Sequence, residues 1–421
     1  MMDARVNDPQ IGDVRFTANG RTYQPPARPV VVVCVDGCAD EYLDLALTHE
    51  RMPNLSRLAR CGYRGLARAA LPTFTNVNNA AIVTGRPPAV TGISGNFFLD
   101  PDSGDEVMMN ASRFLRCETI LATAARAGRK VAMVTAKDKL REILSDGLQG
   151  IAFSAERAHE ATPETNGIEN VDALVGRPTP TIYSADASLY VLDAGVALVE
   201  RGLADFLYLS LTDYVQHAFA PEDDESLEFY GSMDERFGRL LALGAVLGFT
   251  ADHGMNAKQS PDRSPHVLYV ESLLTDRFGP GARVICPITD PYVAHHGALG
   301  SFVTVHLSDH LPTQSVARFL LDCDGITEVY DRDLAVRKLE LPPDRIGDLC
   351  VLSGRDVVLG RTPADHDLSL LHGSLRSHGG RYEEMVPMIL SRPLRPHYAA
   401  LVAGDPRNFD IFDFTCNGGT R

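Results

Sequence analysis

Three apolar runs that each close on an acidic residue constrain this chain most. Pro29-Val-Val-Val-Val-Cys-Val leads to Asp36, Asp205-Phe-Leu-Tyr-Leu-Ser-Leu-Thr212 to Asp213, and Ala245-Val-Leu-Gly-Phe-Thr250 through Ala251 to Asp252. None alternates apolar with polar positions. They therefore read as strands buried on both faces, the pattern of a parallel sheet covered by helices. A turn or a helix cap explains one such aspartate, but it explains the recurrence poorly. In open α/β sheets, ligands gather at the carboxyl ends of the strands. A fourth run, Lys130-Val-Ala-Met-Val-Thr135, passes into Lys137 and Lys139. Those lysines belong to the same edge if the strands are parallel; the plain alternative is a solvated basic patch opening a helix.

Helical stretches at 53–62, 117–128, 186–201 and 226–243 alternate with these strands. Repeated βα units of this kind give a doubly wound central sheet with helices on both faces. Residues 145–185 are loop-rich, with prolines at 163, 178 and 180. From 257 to 370 the texture changes. Strands at 283–287, 301–307 and 349–353 and helices at 313–322 and 331–337 are joined by proline- and histidine-containing loops. The expected division is a metal-binding α/β core of residues 1–256 and 371–421 with an inserted α+β cap of residues 257–370. His295 and His296 sit in the insertion and read as loop residues, because chain neighbours do not readily face one metal. Strand 386–390 should rejoin the first sheet.

The chain has 421 residues and a net charge of 40 − 55 = −15, which argues against nucleic acid or an anionic membrane as a partner. Cysteines at 34, 38, 61, 117, 286, 323, 350 and 416 form no CxxC pair and read as reduced thiols of a cytoplasmic protein. The polar N-terminus carries no apolar leader, and no run reaches the roughly 18 apolar residues of a membrane span. A small anionic substrate remains compatible with this balance where metals make a site locally positive. The composition also leaves room for a homodimer.

Leu71-Pro-Thr-Phe-Thr-Asn-Val-Asn-Asn-Ala-Ala-Ile-Val-Thr-Gly85 places Thr73 and Thr75 just before a short apolar run, Ala80 to Val83. The run looks like the first turns of a buried helix. Unpaired amides and the positive end of the dipole favour an anion there; the plain alternative is a capping threonine. Asp213 and His217 are four apart and share a face if a helical turn forms. His253 adjoins Asp252, and His378 stands in a late glycine-rich stretch. Asp36, Asp213, His217, Asp252, His253 and His378 make six ligands of mixed Asp/His type, which suits two catalytic Zn²⁺ or Mn²⁺ ions. A threonine hydroxyl on such a metal becomes a usable nucleophile.

The chain resembles the alkaline phosphatase superfamily, and within it the phosphonoacetate hydrolases. The superfamily frame is strand-Asp36-Gly, Thr75 nine residues before Thr84-Gly85, Asp213-x-x-x-His217, Asp252-His253-Gly and His378-Gly, all in order and spread over nearly the whole chain. The resemblance implies one zinc on Asp213, His217 and His378. It implies a second on Asp36, Asp252, His253 and the Thr75 hydroxyl. Pro-Thr-Phe-Thr-Asn around Thr75, Ile93-Ser-Gly-Asn96 and Thr135-Ala-Lys137-Asp-Lys139 carry the narrower likeness. It implies that Asn96 holds a phosphonate oxygen and that Lys137 and Lys139 clamp a carboxylate. Val77 stands where relatives often have proline, and Thr91 where histidine is common. The implied reaction cleaves the C–P bond of phosphonoacetate to acetate and phosphate through a phosphothreonine. The alternative is a zinc-dependent phosphodiesterase or nucleotide pyrophosphatase. A sulfatase would need a Cys/Ser-x-Pro-x-Arg segment, which is absent, and the mutases of this superfamily carry serine where Thr75 stands. A non-catalytic, metal-stabilised binding module is a further rival, against which the full set of site positions weighs.

Overall fold

The computed structural model describes residues 14–289, 297–369, 371 and 374–420. His295 and His296 lie outside them. The strands that matter here are β1 (Val30–Cys34), β2 (Tyr63–Arg68), β3 (Val131–Thr135), β4 (Ile151–Ser154), β5 (Phe206–Ser210) and β6 (Val246–Thr250). They continue as β7 (Ala282–Ile285), β8 (Phe302–Leu307), β9 (Ile326–Asp331), β10 (Leu349–Ser353) and β11 (Met385–Leu390).

The central sheet has seven strands in the order β2-β11-β6-β1-β5-β3-β4. Strands β6, β1, β5, β3 and β4 are parallel neighbours. Strand β11 rejoins the sheet as expected but runs antiparallel to both β6 and β2. Every residue of β1, β3, β5 and β6 is buried, which is why none of them alternates. Each fully buried valine contributes about 1.5–3 kcal/mol, and β1 holds four in succession.

Two apolar layers sandwich this sheet. Val31 and Val33 of β1 join Leu207 and Leu209 of β5 and Leu247 and Phe249 of β6 on one face. Helices α1 (Asp40–Thr48) and α2 (Pro53–Cys61) cover that face. On the other face Val30, Val32 and Cys34 meet α3 (Thr75–Thr84), α4 (Ile120–Arg126) and α5 (Asp138–Leu144). The first face is completed by α6 (Ala185–Glu200) and α8 (Asp224–Ala242), with the short α7 (Tyr214–Ala218) between them. The 145–185 stretch is not only loop: it contains β4 at the sheet edge.

Residues 282–353 build a separate antiparallel sheet, ordered β7-β8-β10-β9. The chain leaves the core at Asn256–Ala257 and returns at Arg376–Ser377, and these two segments pair antiparallel. Behind them Lys258 Nζ lies 2.8 Å from Glu383 Oε1, with both side chains fully buried. Lys258 Nζ also donates to Arg355 O, and Glu383 accepts from Asn256 Nδ2 and Gly380 N. The pair thus ties the return loop that carries His378 to the second sheet. Among the described residues, no helix is long and apolar enough to cross a membrane.

Removing one partner of a buried, hydrogen-bonded ion pair strands a charge, at a cost of about 3–5 kcal/mol. Glu383→Ala is therefore expected to lower unfolding free energy by that amount, read from denaturant titration. The double variant Lys258→Met/Glu383→Leu, with no charge left to strand, should recover most of the loss. A single variant within about 0.5 kcal/mol of the parent would count against the pair's role.

Candidate active site and metal centre

Helix α3 begins at Thr75 itself. Its N-cap is Phe74, which offers no side-chain cap, and all ten helix residues are buried. Thr75 is thus the first helical residue rather than a capping threonine ahead of the helix. Its Oγ1 lies 3.4 Å from His253 Nε2. Thr73 Oγ1 instead donates to Gly380 O and accepts from Gly379 N, so both its bonding capacities serve the His378 loop. Of the two hydroxyls left open by the sequence, only Thr75 meets an imidazole of the cluster. Val77 packs in the core, and Thr91 Oγ1 accepts from Ile93 N in a turn.

The parallel strands deliver the acids. Asp36 lies two residues past β1, Asp252 two past β6 and Asp213 three past β5. Residue-for-residue pairing of Val30–Cys34 with Val246–Thr250 and with Phe206–Ser210 keeps those ends level. Asp213 stands at the N-cap position of α7 without a side-chain capping bond, and His217, one turn later, sets its Nε2 3.0 Å from Asp213 Oδ2. His378 Nε2 is 4.0 Å from the same oxygen. His253 Nε2 is 3.2 Å from Asp36 Oδ1 and 3.7 Å from Asp252 Oδ2, and its ring stacks on His378 at 3.5 Å between centroids.

All three imidazoles are oriented the same way. Nδ1 of His217 faces Arg376 O, that of His253 Gly254 O and that of His378 Thr73 O, each at 2.8 Å. A carbonyl only accepts, so each Nδ1 carries a proton and Nε2 is the nitrogen turned inward, with its lone pair available in the neutral ring. That is the arrangement of metal-binding histidines.

Charge balance points the same way. Asp36 is wholly buried, and neither of its carboxylate oxygens accepts a hydrogen bond among the described residues. Burial, reinforced by the neighbouring Asp36, drives the Asp252 carboxyl well above its usual range. Burial opposes a charge on His253, but Asp252 and Asp36 outweigh it and raise the imidazole to about 10. Burial and the adjoining His253 and His217 push His378 well down. For Asp213, burial is overcome by Lys137 and His217, which hold its carboxyl well below normal. Unpaired carboxylate charge in a dry site costs several kcal/mol, and divalent cations between these donors would compensate it. The residues therefore fit metal ions.

Two donor groups come together. Asp213, His217 and His378 form one, and Asp36, Asp213 and His253 the other, with donor atoms within 4.8 Å of one another in each. The first matches the set expected from sequence. In the second, Asp213 stands where Asp252 was expected. Asp252 still borders that group, its Oδ2 3.7 Å from His253 Nε2; Oδ1 accepts from the amides of Gly37 and His253, and Oδ2 from Asn79 Nδ2.

A cleft opens beside these groups, lined by Thr75, Asn96, Lys137, Lys139, His217 and His378. Asn96 Oδ1 accepts from Asn76 N at the start of α3, which leaves its Nδ2 to donate to a ligand oxygen. Lys137 Nζ is 3.2 Å from Asp213 Oδ1; burial is outweighed by Asp213 and Asp36, which favour its ammonium form. Lys139 is brought down to about 7, first by burial and then by Lys137. Leu140 and Ile288 also line the cleft. Both are plain apolar residues, and no sequence signal marked them.

Residues 30–380 match the family described as type I phosphodiesterase / nucleotide pyrophosphatase. Crystal structures of phosphonoacetate hydrolase from Sinorhizobium meliloti 1021, one with phosphonoacetate and one with phosphonoformate, are each 44% identical to this chain with a TM-score of 0.91. Each alignment covers 97% of this chain and 100% of that enzyme. Murine ectonucleotide pyrophosphatase / phosphodiesterase 5 aligns at 17% identity over 92% of this chain and 94% of its own, with a TM-score of 0.59, a likeness of fold. The chain belongs to the type I phosphodiesterase / nucleotide pyrophosphatase family of the alkaline phosphatase superfamily.

Proposed function

We propose that this chain is a di-zinc phosphonoacetate hydrolase, cleaving the C–P bond to give acetate and phosphate. The observation that carries the reading is the cleft in which Thr75, Asn96, Lys137 and Lys139 converge beside two Asp/His groups. The 44% identity to an enzyme crystallised with phosphonoacetate supports it. Asp213, His217 and His378 would hold one zinc, and Asp36, Asp252, His253 and Thr75 Oγ1 the other. When bound, the two cations would neutralise the phosphonate oxygens and favour the alkoxide of Thr75.

Asn96 orients the phosphonate through Nδ2. Thr75 Oγ attacks phosphorus, the P–O bond forms as the P–C bond breaks, and the electron pair leaves as the enediolate of acetate. Lys137 and Lys139 face that developing charge, where fixed cations lower the barrier most. A carboxylate brought beside Lys139 favours its ammonium form, which can pass a proton to the leaving carbon. Water then hydrolyses the phosphothreonine. The inserted cap, residues 257–370, contributes Ile288 to the cleft wall. A cytoplasmic reaction agrees with the eight cysteines, all of them free thiols. The family description favours one rival, hydrolysis of phosphodiesters on the same metals.

About two zinc ions per chain are expected by elemental analysis of protein purified without chelators. One ion or none in fully active enzyme would count against the two-metal reading.

Thr75→Ala should keep fold and metals yet lose turnover by about a thousandfold or more, because the attacking atom is gone. Substantial residual phosphate release would mean that water attacks directly.

Lys137→Ala and Lys139→Ala separate the rivals. Each removes a charge-assisted contact worth about 2–4 kcal/mol, so activity on phosphonoacetate should fall roughly 30- to 1000-fold. Turnover of a p-nitrophenyl phosphonate, whose leaving group lacks the carboxylate, should change by only a few-fold. Parallel losses on both substrates, or none on phosphonoacetate, would favour the diesterase.

A further inference from the structure

We infer that Asn79 is the positioning residue for the Asp252 carboxylate, and through it for the cation expected beside Asp36 and His253. The inference rests on the two-metal reading proposed above. Asn79 lies one turn after Thr75 on α3 and is fully buried. All of its side-chain bonds are accounted for. Nδ2 donates to Thr75 O at 3.0 Å and to Asp252 Oδ2 at 3.2 Å. Oδ1 accepts from Tyr208 Oη at 2.6 Å and from Ser210 Oγ at 2.8 Å.

That pattern fixes which way the amide faces. An amide oxygen cannot donate, so turning the amide over would set Oδ1 against two acceptors, Thr75 O and Asp252 Oδ2; with Oδ1 where it is, the hydroxyls of Tyr208 and Ser210 donate to it. Nδ2 must therefore face Asp252. Tyr208 and Ser210 sit on β5, the strand that leads to Asp213. One side chain thus joins the helix of Thr75, the strand of Asp213 and the acid that follows β6. It touches neither the cleft nor Nε2 of any histidine in the site.

The chemistry needs a neutral donor at this place. Asp252 and Asp36 repel each other in a buried setting. The amides of Gly37 and His253 serve one oxygen of Asp252. Asn79 serves the other without adding charge, and so holds it while the outward lone pairs stay available to a cation. Outer partners of this kind commonly govern metal affinity.

The test is zinc competition with a chromophoric chelator on the full-length, zinc-loaded protein, resolving the two ions. In Asn79→Ala and Asn79→Asp, one zinc is expected to bind roughly 10- to 100-fold more weakly while the other stays within about threefold. The double variant Tyr208→Phe/Ser210→Ala keeps the amide but removes both donors that anchor its oxygen, and should weaken the same zinc. It also decides the matter if position 79 variants fail to fold. Thermal unfolding of the apo forms separates affinity from stability. Equal weakening of both ions, or unchanged affinity for both, would overturn the inference while leaving the two-metal reading intact. A wild-type chain that takes up no zinc would bring down both.

Discussion

The level pairing of three parallel strands is the constraint on which the rest depends. Because β6, β1 and β5 run side by side without offset, the residues just past their ends are forced together. Those residues are Asp252, Asp36 and Asp213, all buried. Two carboxylates about 4 Å apart repel by about 4 kcal/mol at an effective dielectric of about 20. A hydrophobic sheet thus concentrates negative charge at one edge, and Lys137, from the next strand along, pairs there with Asp213. The apolar layers that stabilise the sheet supply the energy that holds this edge in place. The fold and the ion-binding capacity are one arrangement.

Histidines complete that edge, and backbone carbonyls rather than acids set their tautomers. Two of these carbonyls join distant segments: Arg376 O orients His217, and Thr73 O orients His378. Thr73 also bonds the Gly379–Gly380 backbone. The segment leading to Thr75 and the loop of His378 are therefore mutually supporting. The buried Lys258–Glu383 pair fixes the far side of that loop. Ser301 N donates to His378 O, so the second sheet also braces it. A segment that departs from the core for more than a hundred residues needs such bracing if His378 is to return to a defined place.

Much of this was legible in the sequence because the strands of the edge are buried on both faces. A continuous apolar run such as Val30–Cys34 has few other readings, and the acids that follow are conspicuous. Strands at the margins were not legible. Tyr63-Arg-Gly-Leu-Ala-Arg68 is only partly buried, carries two arginines, and lies at the sheet's outer edge. Ile151–Ser154 is four residues long and embedded in proline-rich chain. Such strands pair on one side and owe their form to neighbours far away in sequence. The start of α3 was misplaced for a related reason: Thr75, Asn76, Asn78 and Asn79 are polar by type yet buried, with partners for Asn76 and Asn79 coming from Asp252, Tyr208 and Met109. The direction of β11 was likewise a tertiary outcome with no local sign.

On the proposed function, family membership would account for the metal donors but not for the choice of leaving group. In the sheet order β6-β1-β5-β3, the first three strands present Asp252, Asp36 and Asp213, and the fourth presents Lys137. The metal donors thus occupy one stretch of the edge and the lysines the next. Thr135 Oγ1 donates to Lys137 O, and Asp138 N donates to Glu156 Oε2, so the turn bearing both lysines is pinned from β3 and from the residues just past β4. On the proposed function, nothing in that turn would be required to bind phosphonate oxygens. The turn reaches the donors at one point, where Lys137 Nζ lies 3.2 Å from Asp213 Oδ1. A sheet laid out this way lets the same phosphorus chemistry be coupled to different leaving groups by changing one turn. On the proposed function, selectivity for a carboxylate would reside in where β3 ends rather than in the metal donors.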